Sequence, residues 1–483
     1  MQRSFPRASP ALLALSAISA AAVLASCGGD GATSVGDTSD ARIKSTWVEI
    51  GPNGQTIARA ITTSGTCPTI AVDGIAAAMT VRAAAGTAEQ RTTASDPADS
   101  KPSAFPVTTC ETLLKTGVTA ASVAGRLLPL PKAEPQRIAV LADTGCRMKK
   151  ADNAFQACND GTAWPFATIA ATVSAMKPDL VMHIGDYHYR ENACPADIAG
   201  CRDSAWGYGW DTWEADLFKP AASLLAAAPW VFARGNHEEC ARAGQGWMRF
   251  LDVRGYGATL NCDLPSNDNT ANFSEPYAVA LGKDTQVVIF DSAKAATAAF
   301  GAGDFKFPIY QSQFRTVADL VADTTKTSLF ANHHPILAFA PIAGGAPAPG
   351  NNGLQAVMRS LNPVAYYPDG VKIALHGHVH DFQALSFGSA HPATFVTGNG
   401  GDNVDVNLPD PFPSGLTPAP GVVLDRITHT NTFGFMMMER TGTGTGSDAK
   451  WLYKAYTRDG RLLTTCVPTG SKIACDKTGF LAP

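Results

Sequence analysis

The most regular pattern in this 483-residue chain is a series of short apolar runs, each stopped by a polar turn. Arg137 to Ala142 runs into Asp143-Thr144-Gly145, and Asp179 to Ile184 runs into Gly185-Asp186-Tyr187-His188-Tyr189. Pro229 to Ala233 leads to Arg234-Gly235-Asn236-His237-Glu238. Ser328 to Ala331 leads to Asn332-His333-His334-Pro335, and Lys372 to Leu375 leads to His376-Gly377-His378-Val379-His380. Apolar runs bounded by Gly or Pro, without polar alternation, fit strands buried on both faces. Ala167 to Met176 and Phe314 to Ala322 read as helices crossing between such strands, as parallel pairing requires. Thr432 to Glu439 and Lys450 to Tyr456 read as two late strands, with Arg458-Asp459-Gly460-Arg461 turning into another. The expected class is α/β.

The texture before residue 131 differs. Trp47 to Ile50, Thr56 to Thr62, Thr69 to Val72, Met79 to Arg82 and Val107 to Leu114 are short Thr- and Val-containing runs separated by Gly or Pro. That spacing predicts a small β-sandwich. It carries no cluster of His, Asp or Glu, so no chemistry is assigned to it. Leu130-Pro131 to Glu134-Pro135 reads as its linker to the rest.

The chemistry lies at the ends of the five buried runs, where an α/β sheet presents its ligands. Asp143, Asp186, Tyr189, Asn236, His333, His378 and His380 have the types and order of a two-metal site. A carboxylate has two oxygens and can bridge two cations, which suits Asp186. Imidazole and carbonyl oxygen suit divalent first-row metals, and anionic oxygens suit harder ions. One such Asp or His is as well explained by turn capping; five ordered motifs are not.

These motifs resemble the metallophosphoesterase (calcineurin-like) superfamily and, within it, the purple acid phosphatases. Most branches of that superfamily carry Asp-x-His at the first motif; here Gly145 stands in that place, and Tyr189 stands where purple acid phosphatases have a metal-bound tyrosinate. Trp210-Asp211-Thr212-Trp213 and Pro229-Trp230 extend the resemblance, which covers roughly residues 137 to 460. It implies a four-layer α/β/β/α sandwich, two mixed sheets face to face with helices outside, and an N-terminal β-sandwich domain. It also implies Asp143, Tyr189, His380 and the bridging Asp186 around Fe(III). Asn236, His333, His378 and Asp186 would then surround a divalent ion (Zn, Fe or Mn). His237 matches the family's histidine near the leaving group, a structural hydrogen bond to the ligand shell being its other reading. Plant members carry further histidines after the His333 motif, and residues 336 to 351 contain none. His334 or His188 is the alternative acid. The Ser/Thr protein phosphatases share Arg-Gly-Asn-His-Glu but need Asp-x-His and a later Asp-Arg-Gly, both missing here.

Composition and charge narrow the partners. With 45% hydrophobic and 17% charged residues the chain is ordinary globular material, and a net charge of −4 leaves no basic footprint for nucleic acid. The N-terminus reads as a targeting segment: Arg3 and Arg7, an apolar run from Ala11 to Ala25 too short for a comfortable span, then Leu24-Ala25-Ser26-Cys27. It resembles a bacterial lipoprotein signal with Cys27 as the lipid-bearing residue; an ordinary secretory signal is the other reading. The expected organisation is a signal over 1–27, a tether over 28–44, a β-sandwich domain over 45–131 and a catalytic domain over 132–483. Setting Cys27 aside, ten of the eleven cysteines remain, an even number suited to an oxidising compartment. Connectivity is not readable from sequence; pairing nearest neighbours is the simplest expectation.

Two loops are candidates for substrate choice. Residues 192–213 carry Trp206, Tyr208, Trp210 and Trp213, which read as local core ahead of a stacking surface. Residues 338–353, rich in Gly, Pro and Ala, read as either a lid or a surface excursion. His183 reads as structural, and His376 faces away from the ligands. His391 and His429 have no partner pattern, and Asp402 reads equally as a site contact or a turn residue.

The expected function is an exported, lipid-anchored binuclear phosphatase of the bacterial cell envelope, at the outer membrane or periplasmic face. By the resemblance, it would hydrolyse small phosphomonoesters through in-line attack of a metal-activated hydroxide. A phosphodiesterase or nucleotidase on the same scaffold is the nearest rival. A non-catalytic surface binding lipoprotein is the rival of another class.

Overall fold

A computed structural model describes residues 40–91, 97–295, 297–301, 303–441 and 451–482. The expected signal peptide, Cys27 and most of the tether lie outside the described residues. The five apolar runs form the strands Arg137–Leu141, Leu180–Ile184, Trp230–Ala233, Thr327–Ala331 and Val371–His376. The first three pair in parallel in one sheet and the last two in parallel in another. All are buried along nearly their whole length.

Alternation along each strand sets the layers. Ile138, Val140, Met182 and Val231 of the first sheet meet Val287, Leu329, Ile373 and Phe395 of the second in one core. The opposite faces, Ala139, Leu141, Val181 and Phe232, pack under the helix Phe166–Ala175 and the segment around Trp213 and Leu224. On the far side, Val288, Phe330 and Ala374 pack under the helices Lys306–Leu320 and Asn352–Leu361. The architecture is the expected helix, sheet, sheet, helix sandwich. The helix expected over Phe314 to Ala322 starts earlier, at Lys306. Pro308 in its first turn removes no helical hydrogen bond there, but it masks the start in sequence.

The N-terminal region is β-rich and has its own core of Val48, Ala58, Ala60, Ile70, Cys110 and Val123 between two sheets. One of those sheets is not separate. The strand Ile43–Ile50 pairs in parallel with Trp230–Ala233, so Thr56–Thr62, Thr108–Leu114 and Thr80–Ala83 extend the first catalytic sheet to eleven strands. The described residues form one compact unit. Sequence texture marked the change of packing style but not the shared strand edge.

Buried Arg side chains secure this junction. Arg82 Nε donates to Arg249 O at 3.0 Å, and its Nη2 to the carbonyls of Met248, Asp252 and Arg254 at 2.8 Å each. Arg59 donates to Phe250 O at 2.5 Å and Asp252 O at 2.7 Å. These carbonyls close the helix Gly244–Phe250, whose last carbonyls have no partner within the helix.

Disulfides join Cys67–Cys110, Cys146–Cys158, Cys194–Cys201, Cys240–Cys262 and Cys466–Cys475, the nearest-neighbour pairs expected. Among the described residues no helix is long and apolar enough to cross a membrane.

Candidate metal centre

The seven expected ligands converge at the strand ends. Tyr189 Oη lies 2.7 Å from Asp143 Oδ1, 2.9 Å from Asp186 Oδ2 and 3.0 Å from His380 Nε2. Asn236 Oδ1 lies 3.0 Å from His333 Nε2 and 2.9 Å from His378 Nδ1. Asp186 Oδ2 connects the two groups, standing 3.1 Å from His333 Nε2. Donor atoms of Asp186, His333 and His378 lie within 4.8 Å of one another. The seven therefore divide into a hard, oxygen-rich half and a nitrogen-rich half that share one carboxylate.

Two observations test whether this set fits metal ions. His333 Nδ1 lies 2.9 Å from Ile184 O, and His380 Nδ1 lies 2.9 Å from Asn403 O. A carbonyl only accepts, so each outer nitrogen carries the hydrogen and each inner Nε2 can present a lone pair. The backbone is also strained at the ligands: Asp143 and Asp186 have φ 57° and His378 has φ 70°, in the left-handed region. The residues fit a pair of cations.

Close backbone approach makes this geometry possible. A Cβ on Gly235 would stand 2.1 Å from Asp186 Oδ1. At Gly145, where related chains carry histidine, a Cβ would stand 2.8 Å from Tyr187 O and Tyr189 N and 2.9 Å from Asp216 Oδ2. No side chain fits there. The backbone of the next ligand loop and Asp216 fill the space that a side chain would need.

Protonation follows burial and charge. Burial lowers His333 and His380, but the Asp186 and Asp143 carboxylates raise His333 to about 9, and Asp402 with Asp143 raises His380 to about 9. Burial, with His333 alongside, pushes His378 down to about 3. Burial, together with the Asp143 and Asp186 carboxylates, holds the Tyr189 phenol well above its ordinary value. Only a strong cation would make it a phenolate. Protons and metal thus compete for the same atoms.

His237 sits beside the centre, its ring centroid 3.9 Å from that of Tyr189 and its backbone N–H donating to Asp186 Oδ1 at 2.9 Å. Its Nε2 lies 3.8 Å from Asp186 Oδ2, and its Nδ1 lies 3.2 Å from Glu191 Oε1. Burial and Arg242 push it well below its ordinary value, so it is neutral. The two candidate acids separate. His188 is enclosed by Tyr208 and Trp213, whereas His334 lines the cleft next to His378 and lies 3.1 Å from Ser292 Oγ.

Other expectations resolve as follows. His183 Nε2 meets Thr144 Oγ1 at 2.9 Å and its ring stacks on Tyr187, a structural role. His376 faces Asn332 O, away from the ligands. His391 meets Ser389 and Val364 O, and His429 packs against Phe480 with the rings tilted. Tyr208, Trp210 and Trp213 are core. Asp402 does reach the site: it accepts two hydrogen bonds from Arg147 Nε and one from Nη2, and lies 3.4 Å from His380 Nδ1. Residues 338–353 form a small hairpin, Phe339–Ala340 against Ala348–Pro349, that walls a hollow beside His378.

Sequence reading missed the residues that hold the ligand loops. Glu238 accepts from the backbone N–H groups of Asp186, Tyr187, His188 and Gly235 at 2.9–3.2 Å, pinning the second motif to the third. Asp216 accepts from Cys146 N and Tyr189 N and pairs with Arg190, pinning the first to the second. Glu238 stood inside a motif and was findable there; Asp216 has no local signal.

The family profile "Calcineurin-like phosphoesterase" matches residues 136–382. No curated protein matches the chain significantly. Among solved structures, PhoD is similar at TM-score 0.52 and 10% identity, covering 91% of this chain and 92% of that one. A purple acid phosphatase from yellow lupin (Lupinus luteus) seeds is similar at TM-score 0.45 and 15% identity, covering 87% and 73%.

Proposed function

We propose, from the premise that this chain belongs to the calcineurin-like phosphoesterase family, that it is an exported phosphatase acting on phosphomonoesters. The chain is a hydrolytic, metal-dependent phosphoesterase by that membership; the monoester preference, export and metal identities are our reading. The observation that carries it is the convergence of Asp143, Asp186, Tyr189 and His380 on one side, and Asn236, His333 and His378 on the other. Metal ions bound there would polarise the phosphoryl group, activate water and stabilise the departing oxygen.

The protein's own groups do the rest. Asp186 touches both halves, so it sets their separation. Glu191 lies beside His237 Nδ1 at 3.2 Å and Asp186 Oδ2 lies 3.8 Å from Nε2, which places the neutral imidazole at the edge of the centre as the candidate proton donor to a departing oxygen. Arg242 pairs with Glu191 and donates to Asn236 O at 3.2 Å, fixing both in place. The oxygen-rich half, with a phenol that only a strong cation would ionise, supports Fe(III) there; the nitrogen-rich half supports a divalent ion.

Asp186→Asn should abolish hydrolysis of phenyl phosphate while circular dichroism is unchanged; full activity in that variant would overturn the reading. The diesterase alternative is separated by kcat/KM on matched mono- and diesters. The reading of export and lipid anchoring rests on Leu24-Ala25-Ser26-Cys27, and Cys27→Ala should move the protein from membranes to the soluble fraction. A wild-type N-terminal residue without acyl mass would end the anchoring proposal.

A further inference from the structure

At the metal centre a cleft of about 300 Å³ is lined by Asn236, His334 and His378 and also by Arg242, Lys294 and Lys306, with one carboxylate, Glu239. Among the described residues neither Lys294 nor Lys306 pairs with any of the seven candidate ligands; their ion pairs are with Glu239 and Asp304.

We infer that this cleft is a subsite for a second anionic group on the substrate, a carboxylate or phosphate carried by the leaving group. Among the described residues Lys294 Nζ ion-pairs with Glu239 alone. Lys306 Nζ ion-pairs with Asp304 alone, at a loose 3.4 Å, and lies 5.0 Å from the Phe300 ring centroid. An ammonium has three N–H donors, so each lysine keeps donors for a ligand. Lys306 keeps only 20% of its side-chain exposure and Lys294 29%, so both cations are partly desolvated and held at the wall. Charge-assisted hydrogen bonds are stronger in such surroundings than at an open surface. Arg242 is buried; one Nη donates to Asn236 O and the other pairs with Glu191, while its Nε has no partner.

A second hollow, of about 70 Å³, shares Thr297 and His378 with the basic cleft but is lined by Pro335, Ala338, Phe339 and Pro349. A neutral leaving group can settle there without meeting the lysines. The two walls therefore sort leaving groups by charge.

This inference rests on the phosphoesterase reading, and the test keeps the two apart. Calorimetric titration of the purified metal-loaded protein would compare benzylphosphonate with 4-carboxybenzylphosphonate, neither of which can be hydrolysed. The wild type should bind the carboxylated compound about tenfold tighter, a preference that falls with added salt. Lys294→Ala/Lys306→Ala should lose that preference but keep its affinity for benzylphosphonate and its rate on phenyl phosphate. Equal binding of the two compounds by the wild type, or an undiminished preference in the double variant, would overturn the subsite. The wild-type comparison and its salt dependence stand even if the variant folds poorly. Failure to hydrolyse any ester, with the binding preference intact, would instead count against the function.

Discussion

Tyr189 is the residue on which the metal assignment turns. Its phenol meets two carboxylates and a histidine, and its backbone nitrogen would stand 2.8 Å from a Cβ on Gly145, where no side chain fits. A tyrosinate on Fe(III) gives a charge-transfer band, whereas two zinc ions in the same ligands are colourless. Tyr189→Phe should bleach the visible absorption and lower iron content while leaving the fold intact, since only one oxygen is removed from a packed ring. A colourless, fully active wild type containing only zinc would sink the ferric assignment and leave the phosphoesterase assignment standing. The sequence already paired the loss at Gly145 with the gain at Tyr189. It could not say why, because the reason is the approach of Tyr187, Tyr189 and Asp216 to Gly145 within 3 Å of a Cβ.

Among elements, the junction of the N-terminal strands with the helix Gly244–Phe250 carries the most concentrated polar bonding. Arg82 reaches four main-chain carbonyls and also pairs with Glu111 at 2.9 Å. Arg82→Ala should cost roughly 3 kcal/mol, because several buried acceptors lose their donor at once. Denaturant melts would show the loss, and Arg82→Lys should restore little of it, since one ammonium cannot span those carbonyls. Asp252 in the same junction accepts from Trp247 Nε1 at 2.9 Å and from Arg254 Nη2 at 2.7 Å. Burial opposes its charge, but Arg254 and Arg82 outweigh that and hold its carboxyl below the ordinary 3.8. A carboxyl depressed on folding contributes stability above pH 3.8 that is lost as pH falls below it. Asp252→Asn should therefore flatten the acid limb of the stability curve, measured by melts between pH 5 and pH 2 (about the window set by that shift). An acid limb unchanged by the substitution would refute the assignment. Sequence reading found the N-terminal strands themselves but not the strand edge they share with the first catalytic sheet. Shared sheet edges and buried Arg caps join residues nearly two hundred positions apart and leave no local trace.

At the scale of the whole molecule, three of the five disulfides hold the loops beside the ligand motifs, whereas Cys466–Cys475 links two paired strands and Cys67–Cys110 lies in the N-terminal core. Cys146–Cys158 follows the first ligand motif directly, Cys194–Cys201 follows the second, and Cys240–Cys262 follows the third. Each crosslink is typically worth ~2–4 kcal/mol. Reductant should lower the unfolding temperature strongly and release metal before global unfolding, read by metal analysis alongside calorimetry. Ten free thiols in the native protein would contradict this.

The residues alone determined the α/β class, the seven candidate ligands and their order, and the simple cysteine couples, while the layering came from the family resemblance. These are local signals: buried strands repeat apolar residues, and ligands sit at their ends. Only the tertiary structure decided that His334 and not His188 lines the cleft, and that Asp402 reaches His380. The same holds for the brackets made by Glu238 and Asp216, and for the basic wall of Arg242, Lys294 and Lys306. Each depends on which strand ends come together and at what register. That is set by burial summed over two sheets, and no short window of sequence contains it.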